Sequence, residues 1–188
     1  MGLIASRLLL LLLGGVGMVV SGEKTLFDFE AGRSESPWYI VNDGVMGGLS
    51  QSEMGAKDGA ACFRGILSLE NNGGFASVRT EVVSEDLAGF DGFRLRVKGD
   101  GKVYKFRVRT TQRFDGVAYS VNFPTQAGEW QTHRLAADQF VPMFRGRIVR
   151  SAPPLDMALV RQLGFLISDK QVGTFELHVD SIAIYREP

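Results

Sequence analysis

A chain of 188 residues, 45% hydrophobic and 22% charged, is large enough to bury one globular core, and its composition carries no mark of disorder. Lys plus Arg and Asp plus Glu each number 21, which excludes an overall electrostatic pull toward nucleic acid and leaves charge-driven binding to local patches. Cys62 is the single cysteine, so an intramolecular disulfide and a multi-thiolate zinc site are excluded. Its place between Ala61 and Phe63 reads as a buried structural thiol.

The first element is a leader. Arg7 is followed by an apolar run from Leu8 to Val20 broken only by glycines, and the small residues Ser21 and Gly22 come next. The run falls short of the roughly 20 residues of a comfortable membrane span. Residues 1–22 therefore read as a signal peptide, with an uncleaved membrane anchor as the alternative, and residues 23–188 as a single domain. This predicts an exported protein, periplasmic or extracellular, or one held to a membrane through the leader alone.

From Lys24 onward apolar residues recur with period two between closely spaced glycine turns, the pattern of half-buried strands in a sandwich or barrel. Strands are predicted over Thr25–Phe29, Cys62–Leu69, Phe75–Glu81, Val117–Phe123, Trp130–Leu135, Leu163–Ser168 and Thr174–Tyr185. Phe93, Leu95 and Val97 alternate with Arg94, Arg96 and Lys98; after Gly99-Asp100-Gly101, Tyr104, Phe106 and Val108 alternate with Lys105, Arg107 and Arg109. That pattern predicts a β-hairpin. The glycine-rich and polar stretch Ala31–Gly59 reads as a long ordered loop anchored by Trp38, Tyr39, Ile40, Val45 and Met46. One short helix is expected over Leu155–Leu163, behind Pro153 and Pro154 and closed by Gly164.

Catalytic chemistry finds few groups to use. His133 and His178 are the only histidines, both in strand-like alternation, and no Ser-His-Asp arrangement or phosphate loop is present in the pattern. Asp43, Asp100, Asp115 and Asp169 stand at glycine-containing turns, where a carboxylate ordinarily caps backbone amides, although loop carboxylates of a sandwich also serve as calcium ligands elsewhere. The chain reads as a noncatalytic binding protein with no cofactor and no committed metal site. In the predicted hairpin Arg94, Arg96, Lys98, Lys105, Arg107 and Arg109 share one outer face, and six cations so placed need acids from neighbouring strands or an anionic partner. The partner expected is a protein; an acidic glycan or an anionic lipid head group would suit the same face, and nucleic acid is not expected.

Three stretches, WYIVNDGVMGGLS at Trp38–Ser50, FRGILSLENNGGFASVR at Phe63–Arg79 and RQLGFLISDKQVGTFELHVDSI at Arg161–Ile182, together resemble the complex I intermediate-associated protein 30 family. The segments GDGKVYKFRVRT, GEWQTHRL and FRGR fit in the same order, so the resemblance spans nearly everything after the leader. It implies a jelly-roll β-sandwich similar to galactose-binding domains, with one short connecting helix, and a chaperone-like or scaffolding role for a membrane or envelope complex. A carbohydrate-binding module of an exported protein is the alternative, with Trp38, Tyr39 and Trp130 as candidate rings and Trp130 expected in the core. The binding positions so indicated are Asn42, Asp43 and Met46 in the glycine-rich loop, Arg79 beyond Ser77, the basic residues Arg94, Arg96, Arg107 and Arg109, and Arg145 beside Gly146. The leader lacks the Arg-rich, Ser-rich amphipathic character of a mitochondrial presequence, so export is expected over a mitochondrial location.

Overall fold

The computed structural model describes residues 22–29, 37–82, 85–113 and 115–188. Apart from Gly22, the predicted leader lies outside them, as do residue 30 and residues 31–36 of the predicted loop. Among the described residues no helix is long and apolar enough to cross a membrane.

Thirteen strands follow one another: β1 (Glu23–Asp28), β2 (Tyr39–Ile40), β3 (Gln51–Lys57), β4 (Ala60–Leu67), β5 (Ala76–Glu81), β6 (Gly92–Lys98), β7 (Val103–Arg109), β8 (Ala118–Pro124), β9 (Trp130–Ala136), β10 (Val141–Phe144), β11 (Arg147–Ile148), β12 (Gln162–Ile167) and β13 (Gly173–Tyr185). They form two antiparallel sheets. Sheet A runs β3-β4-β13-β6-β9, with β1 beside the second half of β13; sheet B runs β11-β10-β8-β7-β12-β5-β2. This is the jelly-roll sandwich that the family resemblance implied, and it agrees with the sandwich or barrel read from the alternation.

Alternate residues of both sheets meet between them. Phe63, Phe93, Leu95, Val97 and Leu177 come from sheet A, and Val78, Tyr104, Phe106, Phe123, Leu163 and Phe165 from sheet B, all at most 1% exposed. An aromatic pair bridges the layers, Phe93 meeting Phe106 edge to face at 5.1 Å, and on the inner side of sheet B Phe165 lies 5.4 Å from Phe106 and 6.2 Å from Trp38. Burying such rings, and pairing them at these offsets, is the main stabilising term of the sandwich.

The predicted hairpin is not one. β6 pairs with β13 and β9 in sheet A, whereas β7 pairs with β12 and β8 in sheet B, so Gly99-Asp100-Gly101 carries the chain from one sheet to the other. Asp100 holds this arch: it accepts from the Tyr104 hydroxyl at 2.9 Å, the Lys102 ammonium at 2.9 Å and the Glu176 amide at 3.2 Å. The six cations consequently divide, Arg94, Arg96 and Lys98 onto the outside of sheet A and Lys105, Arg107 and Arg109 onto the outside of sheet B.

Two further expectations change in extent. The helix predicted over Leu155–Leu163 is a single 3-10 turn, Met157–Leu159, capped by the Asp156 carboxylate on the Ala158 amide at 2.9 Å; β12 begins immediately afterwards at Gln162 and takes Leu163 into the core. Within the predicted loop, β2 and β3 are strands; β3 closes sheet A as an edge, its side chains half-buried or exposed, so it shows no strong apolar alternation.

Candidate functional site

The glycine-rich loop folds around Asp43. A 3-10 turn, Asp43–Met46, ends at Gly47 with φ of 91°, a left-handed conformation that glycine adopts without strain. The Asp43 side chain is fully buried and accepts four hydrogen bonds, from the Ser50 amide at 3.0 Å, the Ser50 hydroxyl at 2.5 Å, the Gly74 amide at 2.6 Å and the Phe75 amide at 3.2 Å. Burial alone would push the carboxyl up, but the bonds from Ser50, Gly74 and Phe75 outweigh it and hold it below the usual carboxylate range. Side chains at the neighbouring glycines would intrude, since a Cβ at Gly48 would overlap the carboxylate and one at Gly73 would lie 2.7 Å from it. Asn42 closes the same knot, accepting from the Ser52 hydroxyl at 2.8 Å and the Ser77 amide at 3.2 Å. Both residues thus spend their acceptors inside the fold, and what they present to the surface is the rim formed by Val45 and Met46, 64% and 60% exposed.

That rim overlooks a cleft of about 700 Å³ on the outer face of sheet B. Its floor follows from strand register. Gly164 of β12 faces Arg79 of β5 on one side and Arg107 of β7 on the other, and Arg107 faces Ser120 of β8. One register step away Gln162 faces Arg109. Gly164 has no side chain to fill the gap between the two arginines, and a Cβ there would overlap the Val78 carbonyl. With strands about 4.8 Å apart, Arg79 and Arg107 stand about 10 Å apart at their Cα atoms on either side of a bare strip of backbone.

The electrostatics of this floor are one-sided. The cleft is lined by five cations and two carboxylates, and the rim cations take both: Arg145 pairs with Asp115 at 2.7 Å and Lys105 with Asp169 at 2.7 Å. Arg109 donates to the Gly116 carbonyl at 2.9 Å. Among the described residues no carboxylate comes within ion-pair distance of Arg107. Burial pushes its guanidinium down to about 10, and repulsion from Arg109 and Arg79 adds to the shift. The group stays charged at neutral pH, so the shift records what it costs to hold the charge there. Arg79 and Arg109 are lowered by burial as well.

Of the positions expected to bind, the structure therefore gathers Met46, Arg79, Arg107, Arg109 and Arg145 around one cleft. Arg94 and Arg96 lie on the opposite face of the sandwich, Arg94 forked onto Glu23 and Arg96 at 3.7 Å from Asp180. Trp130, expected in the core, is 40% exposed on that same face, with Arg96 and Lys98 over its ring at 5.4 and 5.2 Å. Gln162 and Gly164 were missed as cleft residues; the one signal that could have pointed there is a glycine inside an otherwise apolar strand, which marks close backbone approach.

One grouping of metal-ligand type is found among the described residues: Cys62, Glu176 and His178 place one donor atom each within 4.8 Å of the others on the outer face of sheet A. The Lys57 ammonium sits 3.0 Å from both Glu176 oxygens, and His178 Nε2 is 2.7 Å from one of them, so the carboxylate is already engaged in an ion-pair network. The thiol is 3% exposed, and burial, reinforced by the Glu176 charge, pushes it up. Cys62 in the native protein is expected to resist a thiol-labelling reagent at pH 8 for hours and to react within minutes in denaturant; rapid native labelling would show an open thiolate instead.

The sequence model of the complex I intermediate-associated protein 30 family matches residues 27–179. The chain belongs to the complex I intermediate-associated protein 30 family. Its curated relatives include the mitochondrial complex I intermediate-associated protein 30 of Mus musculus, 24% identical over 91% of this chain and 58% of the mouse protein, and that of Drosophila melanogaster, 24% identical over 87% of this chain and 63% of the fly protein. An uncharacterised protein of Schizosaccharomyces pombe is 30% identical over 79% of this chain and 77% of its own length. The chain thus spans about three fifths of the mouse and fly proteins it matches. These relatives of the complex I intermediate-associated protein 30 family correct the expectation of export: the mouse and fly proteins are mitochondrial, and an apolar leader does not outweigh a match running through the whole domain.

Among solved structures, the family 11 carbohydrate-binding module of a cellulosomal cellulase of Clostridium thermocellum superposes with a TM-score of 0.63 at 17% identity, covering 87% of this chain and 94% of the module. A family 29 carbohydrate-binding module gives 0.55 at 12% identity, covering 89% and 87%. At these identities the likeness establishes the fold that complex I intermediate-associated protein 30 domains share with such modules, and nothing about ligand.

Proposed function

We propose that this chain is a noncatalytic binding domain that serves the assembly of mitochondrial respiratory complex I, holding a partner protein in the cleft over sheet B. The observation that carries the reading is the cleft itself: a concave face with apolar, adaptable Met46 and Met143 at its edges and the buried cation of Arg107 on its floor, in a chain whose family includes complex I assembly proteins. Among the described residues neither histidine sits in an arrangement that would support catalysis. Nε2 of His133 has no hydrogen-bond partner, and His178 is bound to Glu176 on the other sheet.

A glycan-binding role has the fold neighbours in its favour but the wrong surface. Sugar rings stack on exposed aromatic faces, and among the described residues lining the cleft only Phe75 and Phe165 carry rings, Phe165 being 1% exposed in the core. The assembly reading is tested by crosslinking the tagged full chain in mitochondrial membranes of its source and identifying what is captured by mass spectrometry. Enrichment of complex I subunits at least ten-fold over a tag-only control is expected; no enrichment of such subunits would end the reading.

A further inference from the structure

The floor of the cleft is chemically unfinished. Arg107 lies between two other arginines, is largely removed from water, and has no carboxylate partner among the described residues. A buried guanidinium beside two like charges costs stability, and fixed repulsion of this kind persists in folds where a ligand relieves it. Beside them Gln162 is 7% exposed, and its Oε1 is a buried acceptor with no hydrogen-bond partner. The site therefore offers two complementary features a register step apart: forked cationic donors at Arg107 and a waiting acceptor at Gln162.

We propose that Arg107, beside the bare backbone of Gly164, captures a carboxylate side chain of an acidic segment in the partner protein, with a backbone N–H of that segment donating to Gln162. The proposal rests on the assembly reading and names the chemistry of what is held. An Asp or Glu residue brings both halves of the match, a carboxylate for the guanidinium fork and an adjacent amide N–H for the orphan oxygen. A lipid phosphodiester brings acceptors alone at neutral pH and leaves Gln162 unsatisfied, whereas inorganic phosphate keeps a P–OH donor and is therefore tested as a competitor. The bare backbone at Gly164 lets the chain of the ligand lie low between the arginines, and Val45, Met46 and Met143 flank it with apolar contacts. The role of Arg145 is different: it sits at the exposed rim, already paired with Asp115, and holds the rim loop.

The test uses the full chain with fluorescein-labelled hexaglutamate, followed by fluorescence anisotropy, with hexaserine as the neutral control and inorganic phosphate and anionic-lipid vesicles as competing probes. Hexaglutamate is expected to bind, and Arg107→Gln to weaken it at least ten-fold, whereas Arg145→Gln changes it less than three-fold. Raising the salt from 50 to 500 mM should weaken binding to the wild type far more than to Arg107→Gln. Arg107→Gln should also melt no lower than the wild type, and a few degrees higher if the repulsion dominates, because it removes a charge that is costly in the empty site. Equal hexaglutamate binding by wild type and Arg107→Gln would overturn the proposal, as would phosphate or vesicles saturating the site while hexaglutamate does not. A melting point lowered by more than 5 °C in Arg107→Gln would make the arginine structural and overturn it as well. The two readings separate cleanly. Capture of complex I subunits by Arg107→Gln as well as by wild type leaves the assembly role and removes this site, whereas hexaglutamate binding without any such capture keeps the site and removes the role.

Discussion

Asp43→Ala is expected to destabilise the fold by about 3–5 kcal/mol, because it removes a fully buried acceptor shared by four donors. Against a total stability of roughly 5–15 kcal/mol, that is enough to lower the urea midpoint by a third or more. The loss is also local: the carboxylate ties the Asp43–Met46 turn to the start of β5, so the Val45 and Met46 rim should exchange its amides with solvent faster and any cleft ligand should bind more weakly. The pH dependence has a definite sign. A carboxylate held below its ordinary value contributes in full above about pH 4 and loses that contribution as pH falls through the lower folded value. Urea midpoints measured from pH 6 to pH 2 should therefore converge for wild type and Asp43→Ala below pH 4; a gap that stays constant to pH 2 would mean that the charge of Asp43 is not what the knot recognises.

Phe165→Ala is expected to cost about 3–5 kcal/mol as well, through a cavity where the two layers meet. Its ring is 1% exposed and contacts those of Trp38, Phe106 and Phe123 at 6.2, 5.4 and 6.2 Å, so no single neighbour can collapse into the space. For a chain of this length the melting temperature should fall by about 10 °C. Only two tryptophans are present, and Trp130 lies on the far face, so a red shift in the native emission would report Trp38 losing its stacking partner. Unchanged emission and a melting point within 2 °C of the wild type would show that the core is not packed around this ring.

Much of this architecture was legible in the sequence, and the reasons for the exceptions are physical. The alternations Phe93-Leu95-Val97 and Tyr104-Phe106-Val108 identified the inward faces correctly, since each residue is fully buried. The same alternation arises whether two strands pair side by side or face each other across a sandwich, because in both cases the apolar phase points inward. Gly99-Asp100-Gly101 has hairpin chemistry and serves as an arch, and what distinguishes the two is long-range pairing, β6 with β13 and β9 and β7 with β12 and β8, together with the bond from the Glu176 amide to Asp100. β3 was invisible because this edge strand is only half-buried on its inner side, where Met54 is its one large apolar side chain, so no apolar alternation shows. Arg79, Arg107 and Arg109 were identifiable singly as outward residues, but their convergence depends on β12 lying between β5 and β7, a pairing of strands distant in sequence that no local pattern encodes. The glycine-rich loop stood out for its composition; that its acid points inward became evident only from the donors brought by Ser50, Gly74 and Phe75.

The central claim, that the outer face of sheet B is where a partner is held, is most directly tested by placing a photo-crosslinking amino acid at Met46, on the cleft rim, and in a parallel variant at Thr132, exposed on the outside of sheet A. Irradiation in mitochondrial membranes should give a discrete crosslink to a complex I subunit from position 46 and none from position 132. Crosslinks from position 132 alone would place the partner on the opposite face and contradict the account.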